Sequence, residues 1–119
     1  MTSKYCIMYW KEIPVQVKAE DELGVISQPL DERFQQAVDA ISMFDGSSGS
    51  DDYLMGWSWG NEIEIEGSAK DVSQKIATLY NVSMPGNFVS RIRDLHKSGV
   101  RSGIPGSIDK WMVTNDKQT

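Results

Sequence analysis

From Tyr5 to Trp10 the chain reads Tyr-Cys-Ile-Met-Tyr-Trp, without a polar interruption. A short apolar run of strand-favouring residues predicts a strand that must be covered on both faces. Ile13, Val15, Val17 and Ala19 then alternate with Pro14, Gln16 and Lys18, the period of a half-exposed strand. Pro14 has no N–H to give a ladder, so it marks a strand start or an edge. Glu20-Asp21-Glu22-Leu23-Gly24 is a polar connection, and Val25 to Gln28 return as a short third strand, which makes a β-hairpin the simplest account.

After Pro29 the period changes to that of a helix, with Leu30, Phe34, Ala37, Val38, Ile41 and Phe44 on one stripe. Asp31 and Glu32 lie in its first turn, where the helix dipole favours acids. Asp45 to Ser50 is a loop of turn residues, and Ser50 or Asp51 can cap a short helix carrying Tyr53, Leu54 and Trp57. Ile63 and Ile65 alternate with Glu62, Glu64 and Glu66, giving one more strand with a carboxylate face. Ser68 followed by Asp71 opens a capped helix whose stripe Ala69, Val72, Ile76, Leu79, Tyr80 runs to about residue 80. Pro85 opens a last helix with Phe88, Ile92 and Leu95 inward and Arg91, Arg93 and Lys97 outward, and Gly99 ends it. Ile104, Ile108 and Trp111 suggest that the irregular tail docks. The expected class is α+β: a small, mainly antiparallel sheet, built from the N-terminal hairpin plus a later strand, with three to four helices packed mostly on one face. Residues 1–82 form the body, and residues 83–119 a basic helix and tail packing on it.

A chain of 119 residues can bury a core as one domain. Its net charge of −5 is uneven, with 6 Lys/Arg against 14 Asp/Glu in residues 1–82 and 6 against 3 in residues 83–119. An acidic body repels phosphate backbones, so nucleic acid is not an expected partner. A lone cysteine, Cys6, excludes an internal disulfide framework and a thiolate metal cluster, and fits a cytoplasmic setting. The N-terminus has no basic stretch leading into a hydrophobic signal segment, and no run approaches the ~18 apolar residues of a membrane span.

Candidate chemistry is sparse. Asp45, Asp51 and Asp52 flank a Gly/Ser loop, but the calcium-loop pattern fails at Ser50 and Gly56, where it needs Gly and Glu. Loop chemistry and helix capping account for these residues, and no metal or cofactor is expected. His96 is the only imidazole, and its place beside Lys97 in the last turn of a helix is already explained by the dipole. No catalytic residue is assigned. Arg91, Arg93, Lys97, Arg101 and Lys110 form one basic region, read as a solvated helix face. The aromatic set of Tyr5, Tyr9, Trp10, Tyr53, Trp57, Trp59 and Trp111 is large for so small a protein, and such rings are enriched in binding hot spots.

Three ordered blocks carry a family resemblance: Tyr9-Trp10-Lys11-Glu12-Ile13-Pro14-Val15-Gln16-Val17-Lys18, then Leu30 to Asp39, then Ser50-Asp51-Asp52-Tyr53-Leu54 with Trp57. Over residues 4–80 the chain resembles the bacterial "virulence factor" domain family, which includes the C-terminal part of conserved virulence factor C. The family name records a phenotype and assigns no chemistry. The resemblance implies an accessory role, in longer relatives beside a piece similar to an iron–sulfur scaffold and in short ones near corrinoid and folate methyl transfer. Gly-Trp-Ser-Trp at 56–59 departs from the pattern, where a more charged helix end is expected.

The leading expectation is a non-catalytic module that docks on another protein through the exposed side of the first hairpin. Tyr9, Trp10, Pro14, Gln16 and Lys18 would form the surface, with Arg33 and Trp57 nearby. A second expectation is a small cofactor-handling or enzyme accessory protein, with Arg33, Asp39, Asp52 and Tyr53 converging in a pocket. A third is a homodimer closing its sheet across the first strand.

Overall fold

The computed structural model describes residues 1–112, so the end of the 83–119 segment lies outside the described residues. The apolar run forms the middle of β1 (Thr2–Trp10), and β2 (Ile13–Asp21) returns antiparallel to it across a turn of Lys11 and Glu12. β3 (Gly24–Pro29) pairs with the far side of β2. The free side of β1 is filled twice: β4 (Trp57–Trp59) pairs with Met8–Trp10, and β5 (Ile63–Glu66) pairs with Thr2–Tyr5. The sheet order is therefore β3-β2-β1-β4, with β5 also on β1. The α+β expectation holds, and the single later strand becomes two. A homodimer closing across β1 is corrected, because the backbone of β1 already has a partner strand along both edges.

Alternation sends Tyr5, Ile7 and Tyr9 to one face of β1, beside Val17 and Ala19 of β2. Helices α1 (Glu32–Phe44) and α3 (Ala69–Ser83) close over this face. Phe34, Val38 and Ile41 of α1 and Val72, Ile76 and Tyr80 of α3 join the same buried core. α4 (Phe88–Lys97) packs on α1, with the Phe34 and Phe88 rings 5.3 Å apart. The periodic stripes read from the sequence are the buried stripes of these helices except at Phe44 and Leu79, which are exposed.

Lys4, Cys6, Met8 and Trp10 point to the opposite face, beside Glu20, Lys18 and Gln16. Only its hairpin end is covered by a helix. There α2 (Asp51–Met55) sets the Tyr53 ring 5.7 Å from that of Trp10, and the indole N–H donates to the Tyr53 carbonyl at 2.8 Å. Gly56 approaches so closely that a Cβ there would lie 2.7 Å from the indole nitrogen. Elsewhere on this face, long side chains do the covering: the Lys18 ammonium crosses to 4.5 Å from the Trp59 ring centroid, and Cys6 is left 7% exposed.

One local expectation is corrected and another is narrowed. Trp57 is not helical, because α2 stops at Met55 and the backbone of Trp57 pairs with that of Trp10. Pro14 takes the first of its two expected places: it is the second residue of β2, ahead of Gln16–Asp21, the stretch that pairs with β3. The ladder shifts register after Met8↔Gln16 to Tyr9↔Pro14, leaving Val15 as the extra residue of a bulge, the place where a missing N–H is tolerated inside a sheet.

Distant groups tie off the helices. The Ser68 hydroxyl accepts from the Asp71 N–H at 3.1 Å, as its spacing predicts, while Asp21 accepts from the Ala69 N–H at 2.7 Å. These backbone donors hold the Asp21 carboxyl below its ordinary range. Gly99, at φ 77°, ends α4 in the left-handed conformation that glycine takes without strain.

Gly56→Ala is expected to lose about 1–3 kcal/mol of stability, because the indole above it has nowhere to move. Gly86→Ala, where an added Cβ meets nothing within 4 Å, is the matched control. Urea unfolding followed by tryptophan fluorescence separates the two.

Candidate functional site

The tip of the hairpin carries charge into the interior. Lys11 sits at φ 51°, in the left-handed region that costs a non-glycine residue roughly 1 kcal/mol or more. Its N–H donates to the Gly56 carbonyl at 2.7 Å, and its Nζ donates to Asp45 Oδ2 at 2.9 Å and to Ser47 Oγ at 2.8 Å. Glu12 is only 1% exposed. A carboxylate so placed demands a buried counter-charge. Arg101, from the loop after α4, supplies it as a fork: Nε to Oε2 at 2.6 Å and Nη2 to Oε1 at 2.8 Å. Its Nη1 donates to Asp45 Oδ2 at 2.9 Å, so the two acids and two cations alternate in one network.

Burial alone would raise the Asp45 carboxyl, but donors from Ser47, Lys11 and Arg101 outweigh it and hold the group well below its usual range. Burial works against the Arg101 charge, and Glu12 and Asp45 more than restore it. His96 lies at the rim, with Nδ1 3.5 Å from Arg101 Nη1 and its ring edge-on to Phe44. An open cleft of about 490 Å³ beside the network is lined by Lys11, Asp52, Ser58, His96, Arg101 and Gly103 among others. Its cations are already answered by Glu12 and Asp45. The geometry pins the hairpin to the C-terminal loop, and the Ser47 hydroxyl is taken up in the same network, donating to Asp45 Oδ1 at 2.6 Å. Cys6, the one thiol, is on the uncovered sheet face with burial pushing its pKa up, the opposite of activation.

A second cluster joins the same partners from the other side. Asp109, in the short 3₁₀ turn Asp109–Trp111, accepts on Oδ2 from the hydroxyls of Tyr9 at 2.6 Å and Tyr80 at 2.7 Å. Burial raises the Asp109 carboxyl and the two phenols pull it down, with burial the stronger. Both tyrosine hydroxyls are pushed above their ordinary range, first by burial.

The residues singled out in the sequence fall in different places. Tyr9, Trp10 and Pro14 are buried by this chain, so the expectation that they face a partner is corrected: α3 and the C-terminal loop cover Tyr9, and α2 covers Trp10. Gln16, Lys18 and Trp57 are half-buried. Arg33 caps the end of α3, donating from Nη2 to the carbonyls of Asn81 at 2.9 Å and Met84 at 3.0 Å, with its guanidinium over Phe34. The alternative pocket does not assemble. Asp39 and Tyr53 line one hollow of about 420 Å³, Asp52 lines the cleft beside Lys11, and Arg33 lies apart, with only exposed Asp31 as an acidic neighbour at 3.9 Å. The basic region also divides, since Arg101 is in the buried network and Arg91 stacks 4.1 Å over Trp111. Glu12, Asp45, Arg101, Tyr80 and Asp109 were not legible as clusters, because Arg101 and Glu12 are 89 positions apart and Tyr9 and Asp109 are 100 apart. The faint signal was Arg101 itself, a cation just past the glycine that ends α4.

The fold and its clusters define a small α+β domain with one helix-covered sheet face and a charged hairpin tip clasped by its own C-terminal loop. The chain belongs to the Virulence factor family, whose profile matches residues 8–91, well over half of the molecule. No curated protein and no solved structure matches it significantly. Arg101 and Asp109 lie beyond the matched region, while Tyr9, Glu12, Asp45 and Tyr80 lie within it.

Arg101→Met is expected to cost about 3–5 kcal/mol by leaving Glu12 buried without a counter-charge, and Glu12→Gln in the same chain to restore part of it. The sign for Asp45 follows from its depressed folded pKa. Its contribution is complete above the unfolded value of about 3.9 and disappears as pH falls through the lower folded value. Chemical denaturation from pH 6 downward should show stability falling with acid, with a shallower fall in Asp45→Asn.

Proposed function

We propose that this domain is a non-catalytic, cytoplasmic interaction module that docks one partner protein on the uncovered face of its sheet. The observation that carries the reading is Trp59. Its ring is 44% exposed, with the Lys18 ammonium lying over it, on a face that also carries Cys6, Met8 and the exposed Val25. Tryptophan and methionine at a solvent face are favoured anchors of protein interfaces, and lifting one lysine uncovers a continuous apolar strip. Glu20 and Glu64 stand on the same face on either side of Lys4, so the complementary partner surface is an apolar hollow with mixed charge at its edge. The predicted docking surface thus keeps Gln16 and Lys18, gives up Tyr9, Trp10 and Pro14, and gains Met8 and Trp59. The cofactor-handling alternative has no support in the geometry of its four residues, which lie in three places.

A photo-crosslinking residue at position 16 in the native host should trap one other protein, and Trp59→Ser should weaken that complex at least thirtyfold, as expected when an anchor of about 2 kcal/mol is lost. The variant should keep the wild-type melting curve, because the Trp59 side chain reaches solvent. Crosslinks to a second copy of the chain, or none above those from a buried control position, would overturn the docking reading.

A further inference from the structure

On the helix-covered side of the sheet, away from the proposed docking face, a cavity of about 200 Å³ opens between β1, β5, α3 and the C-terminal loop. Tyr5, Tyr9, Tyr80, Ile63, Gly60 and Asp109 line it. Its wall depends on Gly60, where a Cβ would come within 2.8 Å of the Tyr9 ring.

The charge balance here differs from that at the hairpin tip. Asp109 Oδ2 accepts from two phenols, but Oδ1 is sealed from solvent and has no hydrogen-bond partner. No lysine, arginine or histidine among the described residues forms an ion pair with this carboxylate. A buried carboxylate oxygen with neither a donor nor a cation is costly, and burial already holds the Asp109 carboxyl above its ordinary range. Ser107 Oγ, the other unpartnered buried atom, belongs to a different cavity on the far side of the loop. The acid therefore has no cation opposite it, and the Tyr5, Tyr9 and Tyr80 side chains line the same cavity that it borders.

We propose that this cavity is a binding site for a small alkylammonium group, taken up between the Tyr5, Tyr9 and Tyr80 rings and neutralising Asp109. Aromatic rings attract an organic cation through their quadrupoles, and the carboxylate adds a full charge. Size sets the class of ligand: drug-sized molecules need roughly 300–1,000 Å³, whereas a bare or methylated ammonium head fits the smaller space. Alkali cations are disfavoured, because they would have to exchange a full hydration shell for a mostly aromatic wall. The head can arrive on a free amine or on a lysine side chain, and the chemistry of recognition is shared.

The test is an NMR titration of the full chain with methylammonium, trimethylammonium and Nα-acetyl-lysine methylamide, against sodium and potassium chloride at equal ionic strength. Saturable shifts of the Gly60, Gly106 and Asp109 amides with the organic cations are expected. They should fall at least tenfold in apparent affinity in Asp109→Asn. Tighter binding of the lysine amide would assign the site to a protein side chain, and tighter binding of the simple amines to a free metabolite. Should Asp109→Asn fail to fold, Ile63→Trp at the solvent-exposed mouth fills the cavity from a surface position and must produce the same loss. Equal shifts with the alkali salts, no saturation with any amine, or unchanged binding in the folded variants would overturn the assignment.

Discussion

Everything in this fold hangs on β1 having a hydrogen-bonded neighbour along each edge. A strand apolar at consecutive positions cannot leave either face or either edge to water without exposing Tyr5, Ile7, Tyr9 or Trp10. The chain meets this with β2 on one side, β4 and β5 end to end on the other, two helices over one face and α2 over the end of the other. The arrangement fixes the hairpin tip in space. Lys11 and Glu12 cannot swing into solvent once Trp10 on one side and Ile13 on the other are both fully buried.

That placement creates the need for the C-terminal segment. Glu12 enters the interior as a consequence of the register, and its charge must be answered there. Arg101 answers it, and the same loop runs on to Asp109, which closes over Tyr9 and Tyr80. The segment beyond the region matched by the family profile thus completes polar groups that lie inside it. At one contact charge is balanced, and at the other a carboxylate oxygen is left over. Two ends of a single loop therefore have different chemical characters, one a clasp of matched charges and the other a recess bordered by an acid with no cation opposite it.

The two faces of the sheet differ for the same reason. Helices α1 and α3 lay their amphipathic stripes over the Tyr5, Ile7, Tyr9 face, and only the short α2 reaches the other. Lys18 lying over Trp59 is the compromise, a flexible side chain shielding apolar area that a rigid element does not. Such a cover can be displaced by a partner at small cost, whereas removing a helix would unfold the domain.

Local pattern determined much of this protein by itself. The first three strands, the stripes of α1, α3 and α4, the Ser68 cap, the Gly99 stop and the α+β class all follow from periodicity and turn chemistry, which act over a few residues. Membership of the family could be read from Tyr9 to Lys18 and the two blocks after it. How deeply each aromatic residue is buried was decided only by tertiary structure: Trp10 and Trp59 look equivalent in the sequence and share one sheet face, yet one is sealed under Tyr53 and Gly56 and the other meets solvent. The same holds for Pro14, whose bulge depends on the register with β1, and for Trp57, drawn into a strand by pairing with Trp10. Glu12 with Arg101, and Tyr9 with Asp109, are joined across most of the chain length, and no periodicity reports such pairs. Burial and charge balance are sums over neighbours in space, and those neighbours exist only once the chain has closed on itself.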